Sequence, residues 1–491
     1  MKKFLYFQPE YVGRFKCDGS KCDARCCKNW RIDIDAATYK KYSKLKPKSI
    51  AKEITSRMKF DSERGVYVVT LAEMKEDFLW QKNFSTSSPN TSADLNAVGG
   101  GVCSNNCCDR PWDIDIDAAT YKKYSKLKPK EKSKEITSHI EYDESKKSYM
   151  LKGRPCPFLT EDCLCGLQLK YGASFLSKTC ATYPRHTNAF GKFFERSLTM
   201  TCPVAAELIL FNQEPMKFEF VEVPEKIHSR NGKIALTAKI KVSDIAAELM
   251  LEVQVAMISI LQERTFSINQ RLIVLCFFVD KLEEIYSHGI DEEAIRKLIA
   301  AYESKEFLSE QVPLMLQSIS FNAEKFIELM MNLLEAFYGV KEVATTIYDR
   351  VFLTAVINTL GIKPDEDNQI SLTEIAANYE RLAEARKKFL ADYSTVLENY
   401  LVNELFLNLY PWKNNPRPSR SLSVYLLTCK IFELFLFSMT QNNLSDKKNL
   451  LKLVDWYINQ IDHGERLNEK IFAYLEEHKD FFELMDTLLE Q

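Results

Sequence analysis

The sequence predicts a mainly α protein: an irregular cysteine-rich metal-binding domain followed by an all-helical domain. Three observations carry this. Twelve of the 14 cysteines lie within the first 202 of 491 residues. From about residue 205 onward, apolar residues recur at three-to-four spacing almost to the end, the period of an amphipathic helix. Glycine is scarce, 15 in the whole chain, whereas α/β nucleotide-binding folds spend glycines on turns and phosphate loops.

Residues 1–70 begin with a cysteine motif, Cys17-x4-Cys22-x3-Cys26-Cys27, in which Cys22 and Cys26 share a face on a helical turn. After Trp30 comes RIDIDAATYKKYSKLKPK, and nearly the same words return after Trp112. Cys22, Cys26 and Cys27 correspond to Cys103, Cys107 and Cys108, and Tyr67 to Tyr149. The first 70 residues are therefore a partial duplicate of the cysteine-motif segment. Each copy predicts a strand (DIDID, period 2), a helix (AATYKKYSKL) and a short charged hairpin. Residues 71–101 separate the copies; their Ser/Thr/Asn/Pro-rich middle reads as a linker. Copy two runs directly into a dense cysteine stretch, so residues 102–215 form the predicted metal domain. Copy one is then redundant, or lends Cys17.

That stretch, 156–202, holds Cys156, Cys163, Cys165, Cys180 and Cys202, with prolines beside them. Proline fixes the backbone and suits irregular segments that wrap a metal. Residues 168–177 predict a short helix, and 190–198 an extended or helical run around Glu195 and Arg196. From 216 to 491 the pattern predicts eight to twelve helices, over 233–262, 266–287, 292–304, 322–338, 372–399, 420–440 and 446–488. Ser243, Asp291, Ser371 and Ser445 stand where N-caps belong. Cys276 and Cys429 sit in apolar helices and read as core.

Lys plus Arg number 66 against 68 Asp plus Glu, a net charge of −2. No basic domain stands out, which argues against nucleic acid as a partner; YKKYSKLKPK reads as a solvated helix face. No run approaches the roughly 18 apolar residues of a membrane span, and MKKFLYFQPEY lacks the apolar core of an export signal. These features predict a cytoplasmic protein without a membrane partner. In a reducing compartment, dense cysteines point to a metal rather than to disulfides.

Thiolates select soft metals: zinc, or iron in iron–sulfur clusters. Structural zinc prefers paired C-x2-C knuckles, and the chain has none. Adjacent cysteines and long irregular spacings fit an iron–sulfur cluster better, a [4Fe–4S] centre with zinc as the alternative. The eight cysteines between Cys103 and Cys202 exceed the four that one cluster needs. Either two centres exist or some thiols are structural.

The words C-x4-C-x3-C-C at 17–27, CPFL at 156–159, LC at 164–165, TCATYPR at 179–185, ERSLTMTCP at 195–203 and YLVNELFLNLYPW at 400–412 resemble the flagellin lysine-N-methylase family. The resemblance covers most of the chain outside 49–101. It implies an iron–sulfur enzyme that moves a methyl group from S-adenosylmethionine to lysines of flagellin, its protein partner. On that reading Cys103, Cys107, Cys108, Cys156, Cys165, Cys180 and Cys202 surround the metal, with Cys17, Cys22, Cys26 and Cys27 as an alternative or auxiliary set. The duplication departs from the family pattern, as does Cys163.

A lysine attacks a methyl group only as the neutral amine, and with a reference pKa near 10.4 little of it is neutral at pH 7. A site must lower that pKa or supply a base. Tyr183, Glu195 and His186 are the local candidates. Tyr183 and Glu195 are taken as the catalytic pair, and Arg185 as the residue that orients cofactor or substrate. The alternatives are packing for Tyr183, an ion pair with Arg196 or Arg185 for Glu195, and a surface or supporting position for His186. The rival reading of the whole chain is a non-catalytic zinc- or iron-binding module, which needs no large pocket beside the cysteines.

Overall fold

The computed structural model describes residues 3–16, 114–116, 118–143, 148–151, 182–190, 193–224, 238–240, 244–287, 289, 291–337, 347–363, 371–412, 417–463 and 465–490. It also describes 32–34, 59–61, 66–68 and the single positions 158 and 169. The strands are β1 (Lys3–Pro9), β2 (Ile32–Ile34), β3 (Lys59–Asp61), β4 (Val66–Val68), β5 (Ile114–Ile116), β6 (Ile140–Asp143), β7 (Ser148–Leu151), β8 (Arg185–Phe190), β9 (Phe193–Leu198), β10 (Phe218–Pro224) and β11 (Ala238–Ile240). Four helices fall among them: α1 (Tyr11–Arg14), α2 (Ala118–Tyr124), α3 (Lys130–Ser138) and α4 (Pro203–Leu210).

Thirteen more helices follow among the described residues: α5 (Asp244–Leu261), α6 (Ile268–Ser287), α7 (Glu292–Tyr302), α8 (Lys305–Gln317), α9 (Ala323–Leu334), α10 (Ile347–Leu360), α11 (Leu372–Arg381), α12 (Ala383–Asp392), α13 (Ser394–Leu407), α14 (Pro418–Gln441), α15 (Lys447–His463), α16 (Glu465–Glu477) and α17 (Phe481–Leu488). The mainly α class holds. Two expectations need correction. The stretch 182–224 is not irregular, because β8, β9 and β10 belong to one sheet. The helical run begins at Asp244 rather than at 216, because β10 and β11 come first.

That sheet has the order β10-β1-β9-β8-β11. β8 and β9 form an antiparallel hairpin, Arg185 opposite Leu198 and Asn188 opposite Glu195. β1 lies parallel to β9 and antiparallel to β10, Tyr6 beside Phe194 and Phe7 opposite Phe220. Aromatic side chains alternate across these strands and hold the register: Tyr6 stacks on Phe194 at 5.3 Å, and Phe7 meets Phe218 at 5.5 Å and Phe220 at 4.8 Å. Cross-strand aromatic pairs of this kind stabilise a sheet by roughly 0.2–1 kcal/mol each.

Among the described residues, both copies of the duplicated segment form the strand and the hairpin, and the two strands pair with each other. β2 runs parallel to β5 with Ile32 beside Ile114 and Ile34 beside Ile116, the spacing of the sequence repeat itself. β5 also pairs with β7, and β6 with β7, so copy two supplies three strands of a four-stranded sheet and copy one the edge. The hairpin repeats as well: Phe60 opposes Tyr67 in copy one, as Tyr142 opposes Tyr149 in copy two. Copy one thus covers an edge that would otherwise present unpaired backbone groups.

α13 joins the first sheet to the helical half, and all of Leu397–Leu407 is buried. Its apolar residues fill the core, while two asparagines one turn apart fasten it to β9 and to the end of α4. Asn403 accepts from the Tyr11 hydroxyl and donates to the Leu198 carbonyl at 3.4 Å. Asn399 donates to the carbonyls of Leu210 at 3.3 Å and Asn212 at 2.8 Å. From β8, Asn188 donates to the Leu407 carbonyl at 3.0 Å. Buried amides belong where backbone groups at strand and helix ends need partners. Behind α13 the core continues through stacked rings, Tyr400 on Phe432 at 4.0 Å and Phe435 against Trp456 at 5.0 Å. Cys276 and Cys429 lie within it, at 0% and 4% exposure. α14 has the length and apolarity of a membrane span, yet 89% of its apolar window is buried inside the protein, which makes it a core helix.

Candidate functional site

The candidate site residues that the structure describes lie on the β8–β9 hairpin and its two flanks. Tyr183 precedes β8, half-buried against the core, its hydroxyl 3.2 Å from Thr201 Oγ1. Thr201 is in turn 3.2 Å from Thr199 Oγ1, which makes a short hydroxyl chain along the turn into α4. The Arg185 guanidinium stacks over the Phe15 ring at 5.0 Å, and Arg196 over Tyr6 at 4.0 Å. Cys202 directly precedes α4, 8% exposed, its carbonyl accepting from the Ala206 amide at 2.8 Å. Its thiol is not in a disulfide.

Cys17, Cys22, Cys26, Cys27, Cys103, Cys107, Cys108, Cys156, Cys165 and Cys180 lie outside the described residues, as do Cys163, the predicted cap Ser243 and most of 168–177. Among the described residues no group of three or more His, Cys, Asp or Glu side chains is arranged to hold a metal ion. The chemistry of the donor set is that of thiolates, which suits iron or zinc. Cys202 is the member whose place is known, at the mouth of a helix beside the hairpin.

Glu195 and Tyr183 are not brought together as a pair. Tyr183 sits at the threonine turn, whereas Glu195 lies in mid-strand, flanked in register by Asn188 and Phe7, whose ring meets Phe406 of α13 at 5.8 Å. Glu195 is 1% exposed and neither carboxylate oxygen has a hydrogen-bond partner. Burial alone pushes its pKa up to about 8. Asn188 has spent its amide on Leu407, and its Oδ1 also lacks a partner. Two acceptors without donors, side by side on an antiparallel pair, favour the carboxyl in its neutral form, which can donate.

A second locus lies in the helical half, where sequence reasoning saw only core. A cavity of about 260 Å³ opens between α5, α6, α7 and α8. Ser259, Glu263, Phe266, Arg271, Tyr302 and Glu303 line it, with aliphatic side chains completing the wall. Arg271 is 4% exposed; its Nη1 reaches the Glu398 carboxylate at 2.7 Å and the Leu261 carbonyl at 3.0 Å, and its Nε the Phe266 carbonyl at 2.8 Å. Arg264 grips the same carboxylate from the other side at 2.8 Å and 3.0 Å. Burial draws the Arg271 pKa down and the Glu398 contact opposes that. Tyr302 is 6% exposed, its ring packed on Phe307 at 4.0 Å and Phe278 at 5.2 Å, and its hydroxyl has no partner. The legible signal was a charge inside an apolar helical face: Arg271 in NQRLIVLCFF and Glu398 in TVLENYLV.

The sequence profile of the FliB lysine N-methylase C-terminal domain matches residues 254–489, from within α5 to the end of α17. A flagellar biosynthetic protein FliU of Salmonella muenchen is 33% identical over 132 residues, which span 74% of that protein and 24% of this chain. The chain belongs to the flagellin lysine-N-methylase family. Lysine-N-methylases of Salmonella typhimurium and Salmonella choleraesuis are 25% identical over 217 residues and 30% over 126, which are 44% and 24% of this chain. The matches span only 35% and 31% of those two proteins, about a third of their length. No solved structure matches the chain significantly. The family profile covers the helical half, including α13 and the whole lining of the cavity. The cysteine words, which carry the resemblance in the other half, end at Cys202 and precede it.

Proposed function

We propose that this chain is a cytoplasmic S-adenosylmethionine-dependent protein-lysine N-methyltransferase acting on flagellin, with a cysteine-bound iron–sulfur cluster. The observation that carries the reading is the family match over residues 254–489 of the helical half, joined to relatives named lysine-N-methylases. The thiolate-rich segment supports the cluster independently, through the preference of thiolates for soft metals. Cys103, Cys107, Cys108, Cys156, Cys165, Cys180 and Cys202 would hold it, and the cluster would supply a soft, redox-capable centre.

What the chain must do for the acceptor is deliver lysine as a free amine. The nitrogen lone pair forms the new C–N bond as the C–S bond of the sulfonium breaks, and the ammonium proton leaves to a base. Tyr183 is half-buried with its hydroxyl in the Thr199–Thr201 chain, and we assign it to hold or relay that proton. Arg185, two residues on, orients an anionic group of cofactor or substrate. Glu195 is sealed behind the sheet, so its contribution is to hold a proton and keep the hairpin in place rather than to meet substrate.

Reconstituted protein, labelled S-adenosylmethionine and flagellin test the reading together. Label on flagellin lysines, lost in a Cys180→Ala and Cys202→Ala double variant that still folds, is the expected result. Bound metal without transfer to any protein would instead make the chain a zinc- or iron-binding module.

A further inference from the structure

α13 ends in a turn that its own residues do not favour. Leu409 has φ 57°, the left-handed conformation that glycine ordinarily supplies just past a helix. The Tyr410 amide reaches back to the Leu405 carbonyl at 3.1 Å, and the Leu409 amide to the Phe406 carbonyl at 3.3 Å. These two bonds close the turn and leave the Leu407 carbonyl, another of the last four of the helix, to find a donor elsewhere. Asn188 of β8 supplies it from across the interface, its Nδ2 at 3.0 Å. The sheet half thus caps the helix that joins it to the helical half. The same side chain stands directly opposite Glu195, on one face of the hairpin. Residues so placed hold their Cβ atoms about 4.5–5.5 Å apart. Asn188 is 3% exposed and Glu195 1%, and Asn188 Oδ1 and both Glu195 oxygens are without partners.

We infer that Asn188 is a proton-controlled cap: it holds the end of α13 while Glu195 is neutral and lets go when Glu195 ionises. A neutral Glu195 donates its O–H to Asn188 Oδ1, and Nδ2 stays on Leu407. An ionised Glu195 has only acceptors to offer. The Asn188 amide then turns its Nδ2 to the carboxylate, and Oδ1 comes to face the Leu407 carbonyl, which repels it. One proton therefore decides whether the amide bonds within the hairpin or across the interface, a two-state element of the kind that pH switches use. The surrounding charged and titratable groups leave this to Glu195. Arg196 turns to the opposite face, over Tyr6 at 4.0 Å, and Arg185 lies over Phe15 at 5.0 Å. β1 places Phe7 beside Glu195, and the Tyr11 hydroxyl of α1 is committed to Asn403. On α13, Glu404 accepts from Asn408 of its own helix at 3.0 Å. His186 shares the Glu195 face by strand alternation, opposite Ser197. Burial is what holds the Glu195 proton, so release falls on the alkaline side, around pH 8.

Amide hydrogen exchange of the full chain, followed across the pH range and corrected for the intrinsic rate, tests this. The reporters are the amides of Asn408, Leu409, Tyr410 and Trp412, with the middle of α14 as the internal reference. Opening at the reporters, relative to the reference, should rise about tenfold from pH 7 to pH 9, as the ionised fraction of Glu195 rises. Glu195→Gln, which cannot ionise and still donates to Asn188 Oδ1, should stay protected throughout. Asn188→Ala should open at every pH. Reporters that follow the α14 reference at all pH values in the wild type would overturn the cap. So would an equal alkaline rise in Glu195→Gln, or an Asn188→Ala chain as protected as the wild type. A rise centred near pH 6.5, the ordinary range of a histidine, and abolished by His186→Gln would move the switch to His186 and overturn the role of Glu195.

Discussion

Two glutamates are equally buried, each 1% exposed, and the protein treats them in opposite ways. Glu398, on the helix that joins the two halves, is held by Arg264 and Arg271. Glu195, in the sheet that packs on that helix, has no donor at all. The first is a charge kept in the interior because guanidinium groups surround it. The second is a carboxyl that survives burial by keeping its proton. The helical half uses charge to fasten its core beside a cavity, while the sheet half keeps a titratable group within reach of the neutral pH range.

Removing one partner of the charged set should have the largest effect. Arg271→Met leaves Glu398 buried with only the half-exposed Arg264, a change that typically costs about 3–5 kcal/mol. Denaturant unfolding should show that loss, and Arg271→Met combined with Glu398→Leu should recover part of it. Equal losses in the single and double variants would mean that the cluster is not a coupled unit.

Next in size is a pH effect that separates the two glutamates. The folded pKa of Glu195 is raised to about 8, above the value of an unfolded glutamate. The neutral form is favoured in the fold, so this contribution is fully present below about pH 4.5 and is lost as pH rises through 8. The full span sets an upper limit on the order of 5 kcal/mol, which relaxation and water entry reduce to a few. Stability measured from pH 5 to 9 should fall in the wild type and be flatter in Glu195→Gln. Parallel curves for the two proteins would show that Glu195 ionises normally.

Smaller still is the asparagine seam. Asn403→Ala strands the Leu198 carbonyl and the Tyr11 hydroxyl, which costs about 1–3 kcal/mol for buried groups left unpaired. Tyr11→Phe should cost less, and the two changes together less than their sum. The least effect is expected at the duplicated strand. Ile34→Pro breaks pairing at an edge, so global stability should shift by under about 1 kcal/mol, while amide exchange at residues 114–116 accelerates. Unchanged exchange there would contradict the pairing of the two copies.

The sequence carried the helical half well where local signals decide it. Asp291 and Ser371 do cap helices, accepting from the amides of Ala294 and Glu374. Asp446 takes the place expected of Ser445, accepting from the Asn449 amide. Ser304, Asn322 and Asp480 are further caps that the periodicity did not single out. The span 372–399 divides into α11, α12 and the start of α13 at Leu382 and Tyr393, ordinary helix formers that give no breaker signal. α8 and α10 were missed altogether, α8 with Pro313 inside it. The mixed sheet was hidden because its pairings are remote. Lys3–Pro9 finds its partners some 190 to 220 residues away, although the alternation in FEFVEVP was visible. Tyr183 and Arg185 could be picked out from the cysteine words beside them. The cavity could not, because it is assembled from four helices.

The most direct measurement of the functional account needs no reconstitution. Flagellin produced in cells with this chain is compared by mass spectrometry with flagellin produced alone. The account predicts mass increments of one methyl group or its multiples, mapped by fragmentation to lysine side chains and absent when Cys180 and Cys202 are both alanine. Flagellin of unchanged mass in cells that contain the folded, metal-loaded chain would contradict it.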